Sequence, residues 1–231
     1  MIPKIGLGTW GLTAHAERTV ELALQIGYRM IDTASAYVNE REVGRGIAAS
    51  GIPRGQLTIC TKFPVEFAGK EREILDFSLA SLQVEYLDIW LVHGPMPGPA
   101  LTRTLSHMRE AKEAGSVRHV GVSNFSIEQL DWVKRTTGYY PELNQRFLPL
   151  DDSFDPLVDA HRARGILPMA HSPFHPLNGG AHVNRHESIL TTYIAAAVPV
   201  VLGSRNAAHL ASNLKHANRW AVVRASGHDQ T

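Results

Sequence analysis

The sequence predicts a closed barrel of eight parallel strands, each followed by a helix. Three observations carry that prediction. Short apolar runs alternate with amphipathic stretches along the chain, eight such pairs can be counted, and no linker or low-complexity segment interrupts them. Parallel strands need a long crossover, most often a helix, so this alternation argues for a parallel sheet. Eight units in 231 residues fit a (β/α)8 TIM barrel near the short end of its size range. A single domain over residues 1–231 follows, with a polar tail from about residue 221.

The strand-like runs are Lys4–Leu7, Arg29–Asp32, Leu57–Lys62, Leu87–His93, His119–Ser123, Glu142–Gln145, Ile166–Ser172 and Pro199–Gly203. Between them, Val20, Ala23, Leu24 and Gly27 share one face of a helix over Ala14–Ile26. Ile74, Leu75, Ser78, Leu79 and Leu82 do so in the third unit. Ser126, with Gln129 three residues on, reads as the cap of a helix carrying Ile127, Leu130, Val133 and Lys134. The seventh unit has room only for a loop and a short helix near Glu187–Ala197.

Composition narrows the function. Lys+Arg 23 against Asp+Glu 22 leaves a formal charge of +1, which offers no electrostatic footprint for nucleic acid or an anionic membrane. The apolar run Tyr193–Leu202 contains Pro199 and falls far short of the roughly 20 residues of a membrane span. The single cysteine, Cys60, follows Leu57-Thr58-Ile59 and reads as a buried thiol in a reducing compartment. The start of the chain carries no apolar stretch of the signal-peptide kind, and a cytoplasmic location is the expectation.

Gly6-Leu7-Gly8-Thr9-Trp10-Gly11 matches G-x-G-x-x-G, with Asp32 at the end of the next strand, as in a dinucleotide-binding Rossmann unit. There a helix would start inside the glycine run, whereas the helical pattern here begins near Thr13. The glycines read better as a strand-to-helix loop.

In a barrel the loops after the strands build the active site. Asp32, Lys62, His93, Ser123-Asn124, Gln145, His171-Ser172 and Gly203-Ser204-Arg205 close strands two to eight, and Tyr37 sits just past Asp32. Each has a plain structural explanation alone, such as a turn-forming Asp32 or a snorkelling Lys62. Together they make a carbonyl-addition site. A phenol is a weak acid until a nearby cation favours its ionised form. Lys62 can supply that cation, Asp32 can orient it, and His93 can position a substrate carbonyl.

Ile31-Asp32-Thr33-Ala34-Ser35-Ala36-Tyr37-Val38-Asn39-Glu40 with Val43-Gly44 resembles the signature of the aldo-keto reductase family. So do Gly6-Leu7-Gly8-Thr9-Trp10, Thr61-Lys62, Leu91-Val92-His93, Gly121-Val122-Ser123-Asn124-Phe125, Asn144-Gln145, Ser172-Pro173 and Gly203-Ser204-Arg205-Asn206, in order from about residue 2 to 218. The resemblance implies hydride transfer between NADPH and an aldehyde or ketone, without metal and with a monomer common. It implies Tyr37 as general acid, Lys62 and Asp32 as its tuners, and His93 as the group that orients the carbonyl. Ser123, Asn124 and Gln145 would hold the nicotinamide amide, with Gly8, Thr9, Trp10 and His171 beside the cofactor. Ser172 and Phe174 would lie along the pyrophosphate, and Gly203, Ser204, Arg205, Asn206, His209 and Asn213 at the adenosine end. Arg205 suits a 2′-phosphate, so NADPH is chosen over NADH.

The sequence also departs from that pattern. His171 stands where the family usually has a stacking tyrosine, Gly203 where a lysine is common, and His209 where an arginine is common. The family's opening hairpin has no counterpart before Ile5, and the trimmed seventh unit predicts an open site and a less covered barrel wall. Trp10, Phe63 and Met96 follow strand ends and either line a substrate pocket or pack in the core. The pairs His171/His175 and His182/His186 have metal-ligand spacing, but Pro173 and Pro176 break the first, and the second reads as a solvated loop. The alternative to a reductase is a barrel that binds nicotinamide cofactor in a regulatory role.

Overall fold

The computed structural model describes residues 1–175 and 183–226. The strands are β1 (Ile5–Gly8), β2 (Met30–Asp32), β3 (Thr58–Phe63), β4 (Leu87–Val92), β5 (Val117–Ser123), β6 (Leu143–Arg146), β7 (Leu167–His171) and β8 (Val200–Leu202). The helices are α1 (Ala16–Ile26), α2 (Glu40–Ala49), α3 (Glu71–Leu82), α4 (Gly98–Glu113), α5 (Ile127–Thr137), α6 (Phe154–Arg162), α7 (Val183–Ala195) and α8 (Ala207–Ser226). All strand pairs are parallel, and β1 pairs with β8, so the sheet closes in sequence order.

Side chains alternate across a strand, and that period sorts this barrel into layers. Ile5, Leu7, Ile31, Ile59, Trp90, Val120 and Val122 face outward into the main core against the helices. Met30, Cys60, Ile89, Leu91, Leu143, Met169 and Val201 form a separate apolar plug inside. Small residues make room for it: a Cβ on Gly6 would lie 2.9 Å from Met30 Cγ, and one on Gly121 would lie 2.7 Å from Leu91 Cδ2. Cys60 is fully buried in this plug, as its apolar context predicts.

The predicted elements match in order. Ser126 forms a complete capping box with Gln129 at the start of α5. The helix after the glycine run begins only at Ala16, and Gly6 and Gly8 lie inside β1, which removes the Rossmann reading. Two expectations change. The seventh helix has thirteen residues, beginning at Val183 rather than near Glu187 and ending at Ala195. Ile189, Leu190, Tyr193 and Ile194 are all buried, so the wall there is covered. Helix α8 runs to Ser226, into the stretch read as a polar tail, and residues 227–231 lie outside the described ones.

At the opposite end from the strand termini that carry chemistry, Asp88, the second residue of β4, is a buried anchor. Its carboxylate accepts from Arg54 (2.7 Å), Arg118 (2.8 Å) and the Ile59 amide (2.9 Å). Both guanidinium groups stack on Tyr86, at 3.9 and 4.1 Å from the ring centre. Removing one member of a buried ion pair leaves the other uncompensated. Asp88→Ala is therefore expected to lower unfolding free energy by about 3 kcal/mol, less than a fully enclosed pair because Arg118 is half exposed. A urea titration showing less than about 1 kcal/mol would contradict this anchoring role.

Candidate active site

The residues that follow the plug by two positions, and so face the same way, line a cavity of about 490 Å3 at the C-terminal mouth of the barrel. Asp32 follows Met30, Lys62 follows Cys60, His93 follows Leu91, Gln145 follows Leu143, His171 follows Met169 and Gly203 follows Val201. Ser123 stands likewise above Gly121. The floor of the site is thus the next layer of the barrel interior.

Lys62 is its centre. The buried ammonium donates to Asp32 Oδ1 (2.6 Å) and the Thr33 carbonyl (2.9 Å), and reaches the Tyr37 hydroxyl at 3.4 Å. Burial is the largest single effect and opposes its charge, yet Asp32, Tyr37 and Cys60 together outweigh it and its pKa is raised. The other Asp32 oxygen accepts from Gln145 Nε2 at 2.5 Å.

Tyr37 ends a 3-10 turn over Ser35–Tyr37, and Val38 after it is left-handed at φ +55°. Two buried clusters hold this turn. Asn39 donates to the Thr9 carbonyl (2.9 Å) and accepts from Thr33 Oγ1 (3.3 Å). Glu40 accepts from Thr61 (2.6 Å) and Ser78 (3.1 Å), and Ser78 contacts Ser35 at 3.0 Å. The Tyr37 ring meets His93 edge-on at 5.6 Å between centres. Lys62 was expected to make the phenol more acidic. It does pull that way, but burial is the larger effect and the Tyr37 pKa is raised overall. Tyr37 therefore holds its proton at neutral pH. Burial, aided by Lys62, lowers the His93 pKa and keeps that ring neutral.

On the other side, Asn124 has φ +63°, and its amide nitrogen donates to Ser123 Oγ (3.1 Å) and to the His93 carbonyl (3.4 Å). Its oxygen faces His171 Nε2 at 2.9 Å, so that nitrogen carries the proton. Nδ1 then accepts from Ser172 Oγ at 3.1 Å. Burial lowers the His171 pKa to about 4.

Twelve of the candidate residues share the cavity: Gly8, Trp10, Asp32, Tyr37, Lys62, His93, Ser123, Asn124, Gln145, His171, Ser172 and Gly203. Others stand apart from it. Thr9 is buried and donates to Thr33 Oγ1 (2.8 Å), tying two loops together. Phe174 stacks on His186 at 4.3 Å. Asn206 caps α8 through the Ala208 and His209 amides, and Ser204 accepts from the Asn206 amide. Asn213 hydrogen-bonds Tyr28. Arg205 and His209 are exposed on and beside the first turn of α8.

Of the pocket candidates, Trp10 stands on the rim, 78% exposed. Phe63 is fully buried and packs edge-on against Trp90. It neighbours Lys62 and so faces the helices rather than the cavity. Met96 packs against the outer core. His171 ends β7 and Ser172 turns left-handed at φ +52°, so His171 and His175 share no helix; His182 lies outside the described residues. Among the described residues no three His, Cys, Asp or Glu groups converge on a metal position. No described helix is long and apolar enough to cross a membrane.

Comparison with known proteins bears on this geometry. Residues 4–187 match the model of the Aldo/keto reductase family. An aldo-keto reductase of Mycolicibacterium smegmatis is 41% identical over 177 residues, 74% of this chain and 64% of that protein, so the chain spans less than two thirds of that relative. Methylglyoxal reductase DkgB of Salmonella typhi is 42% identical over 135 residues, 56% of this chain and 51% of that one. The crystal structure of a Bombyx mori aldo-keto reductase in complex with NADP superposes with a TM-score of 0.79 at 28% identity, covering 92% of this chain and 83% of that one. With eight strands closed in order and a family match over most of its length, the chain belongs to the aldo-keto reductase family.

Proposed function

We propose that the protein reduces small aldehyde and ketone carbonyls to alcohols with NADPH, as a cytoplasmic monomer whose site is complete within one chain. The observation that carries this reading is the convergence of Tyr37, Lys62, Asp32 and His93 on one cavity with the Asn124 and Gln145 amides. His93, neutral above its lowered pKa, hydrogen-bonds the substrate oxygen and aims it at Tyr37. The Tyr37 hydroxyl gives its proton to that oxygen as the carbonyl carbon is reduced. Lys62, fixed by Asp32 and Thr33, stabilises the phenolate left behind.

The residues present fit a nicotinamide cofactor by the chemistry of their donors. Asn124 and Gln145 offer paired amides to a carboxamide, with Ser123 beside them. Arg205 and His209, on and beside the first turn of α8, suit phosphate. When bound, the cofactor supplies the hydride. The methylglyoxal reductase among the similar proteins makes small dicarbonyls the first substrates to try.

The test is NADPH consumption with a panel of aldehydes and dicarbonyls, beside a titration of cofactor binding. Turnover supports the reductase; binding without turnover on any substrate would favour the regulatory alternative. The pH profile has a definite shape. With the His93 pKa lowered from 6.5 and that of Tyr37 raised from 10.0, reduction should be flat across pH 6.5 to 10 and fall only beyond both ends of that range. An alkaline limb beginning near pH 8 would exclude Tyr37 as the acid.

A further inference from the structure

Behind the cavity wall lies a buried polar cluster that the catalytic set does not touch. Asn144 is fully buried and precedes Gln145 on β6, so it faces the helices while Gln145 faces the cavity. Its amide clasps both main-chain groups of Phe125. The Phe125 N–H donates to Asn144 Oδ1 at 3.3 Å, and Asn144 Nδ2 donates to the Phe125 carbonyl at 2.9 Å. Arg146 adds a 3.1 Å bond to the same carbonyl. These contacts fix which end of the Asn144 amide is nitrogen, and that nitrogen also lies 2.9 Å from His161 Nε2.

His161, on α6, is itself fully buried. Its Nδ1 lies 2.6 Å from the Leu157 carbonyl. A carbonyl only accepts, so Nδ1 carries the proton and Nε2 presents a lone pair to Asn144. Burial, together with Arg146 and Arg164, favours this neutral form. The chain therefore runs from α6 through Asn144 to Phe125, the residue after Asn124. Asn124 is left-handed, at φ +63°, a conformation asparagine tolerates better than most residues. Its own N–H is tied to the Gln145 carbonyl at 2.8 Å.

We infer that His161 is a positioning residue for cofactor binding: by accepting from Asn144 it fixes the loop that presents Ser123 and Asn124 to the nicotinamide amide. This rests on the cofactor reading above. Sequence alone carried no signal for it, since a lone histidine inside an amphipathic helix reads as packing.

The experiment compares NADPH dissociation constant, kcat and unfolding midpoint in wild type, His161→Leu, His161→Met, His161→Gln and Val158→Ala. Val158 is buried on the same helix and serves as a packing control. Losing the acceptor in the Leu and Met variants should raise the dissociation constant about tenfold, the worth of roughly one such bond. His161→Gln, which offers an oxygen to Asn144 and an N–H to Leu157, should stay within about threefold of wild type by the same reasoning. Val158→Ala should lose stability without losing affinity. The proposal is overturned if Leu and Met bind like wild type, or if affinity follows the unfolding midpoint across all variants. It is also overturned if Leu and Met fail to fold while Gln and Val158→Ala do, which would make His161 a requirement of the fold. A wild type that binds no NADPH would instead sink the cofactor reading, and this one with it, before any variant is compared.

Discussion

Tyr37→Phe is expected to lower the rate of carbonyl reduction by at least about 100-fold, the lower end of what a positioned acid contributes, with the unfolding midpoint nearly unchanged. The separation follows from the contacts of the phenol. Among the described residues its oxygen hydrogen-bonds Lys62, at 3.4 Å, and Lys62 keeps its shorter bonds to Asp32 and Thr33 without it. The ring remains against His93, so the packing of the turn survives. Cofactor affinity should also persist, because the amide pair lies across the cavity. Steady-state kinetics and thermal unfolding on the same preparation decide the matter. A variant that keeps more than a tenth of wild-type turnover would move the proton donor elsewhere.

Lys62→Met should damage both activity and stability. Asp32 is 3% exposed, and without the ammonium its carboxylate keeps only uncharged side-chain donors among the described residues, the Gln145 amide and the Cys60 thiol. Leaving such a charge unpaired costs about 3–5 kcal/mol, which for a chain of this size lowers the midpoint by on the order of 10 °C. Adding Asp32→Asn should recover most of that stability and none of the activity, which separates the electrostatic cause from lost packing. Equal midpoints for the single and double variants would refute the account. The wild-type pair has a clear pH sign. The folded Lys62 pKa is raised above 10.5, so its stabilisation is whole below that value and fades only as pH climbs through the folded pKa. Urea midpoints should therefore show no pH dependence from this pair between pH 6 and 9.

Much of this molecule was legible before its structure, because two simple periods govern it. Strands with period two and helices with period 3.6 marked the eight units in order, and Ser126 with Gln129 marked a cap that the structure contains. The same period of two placed Asp32, Lys62, His93 and Gln145 at strand ends, and the barrel brought them into one cavity. Contacts that join distant parts of the chain were not legible. Phe63 reads from sequence as either a pocket or a core residue, and the alternation that aims Lys62 inward turns its neighbour out to Trp90. The bond from Thr9 to Thr33, which ties two loops together, has no local signature. The acidity of Tyr37 could not be judged from charge alone, since burial outweighs Lys62. The supporting roles of Asn39, Glu40 and Asn144 depend on hydrogen bonds that no local pattern encodes.

The apolar plug of Met30, Cys60, Ile89, Leu91, Leu143, Met169 and Val201 has a consequence for how such a chain can change over generations. It divides the barrel into a half that anchors, with Asp88 and its two arginines, and a half that reacts. Asp88 with its arginines and the Lys62–Asp32 pair bond different partners among the described residues, and substitutions without shared partners tend to add independently. Altered loops around Trp10 and residues 94–97 can then be tried one after another, each judged on chemistry alone. A lineage with this partition can acquire new substrates without first relearning how to fold.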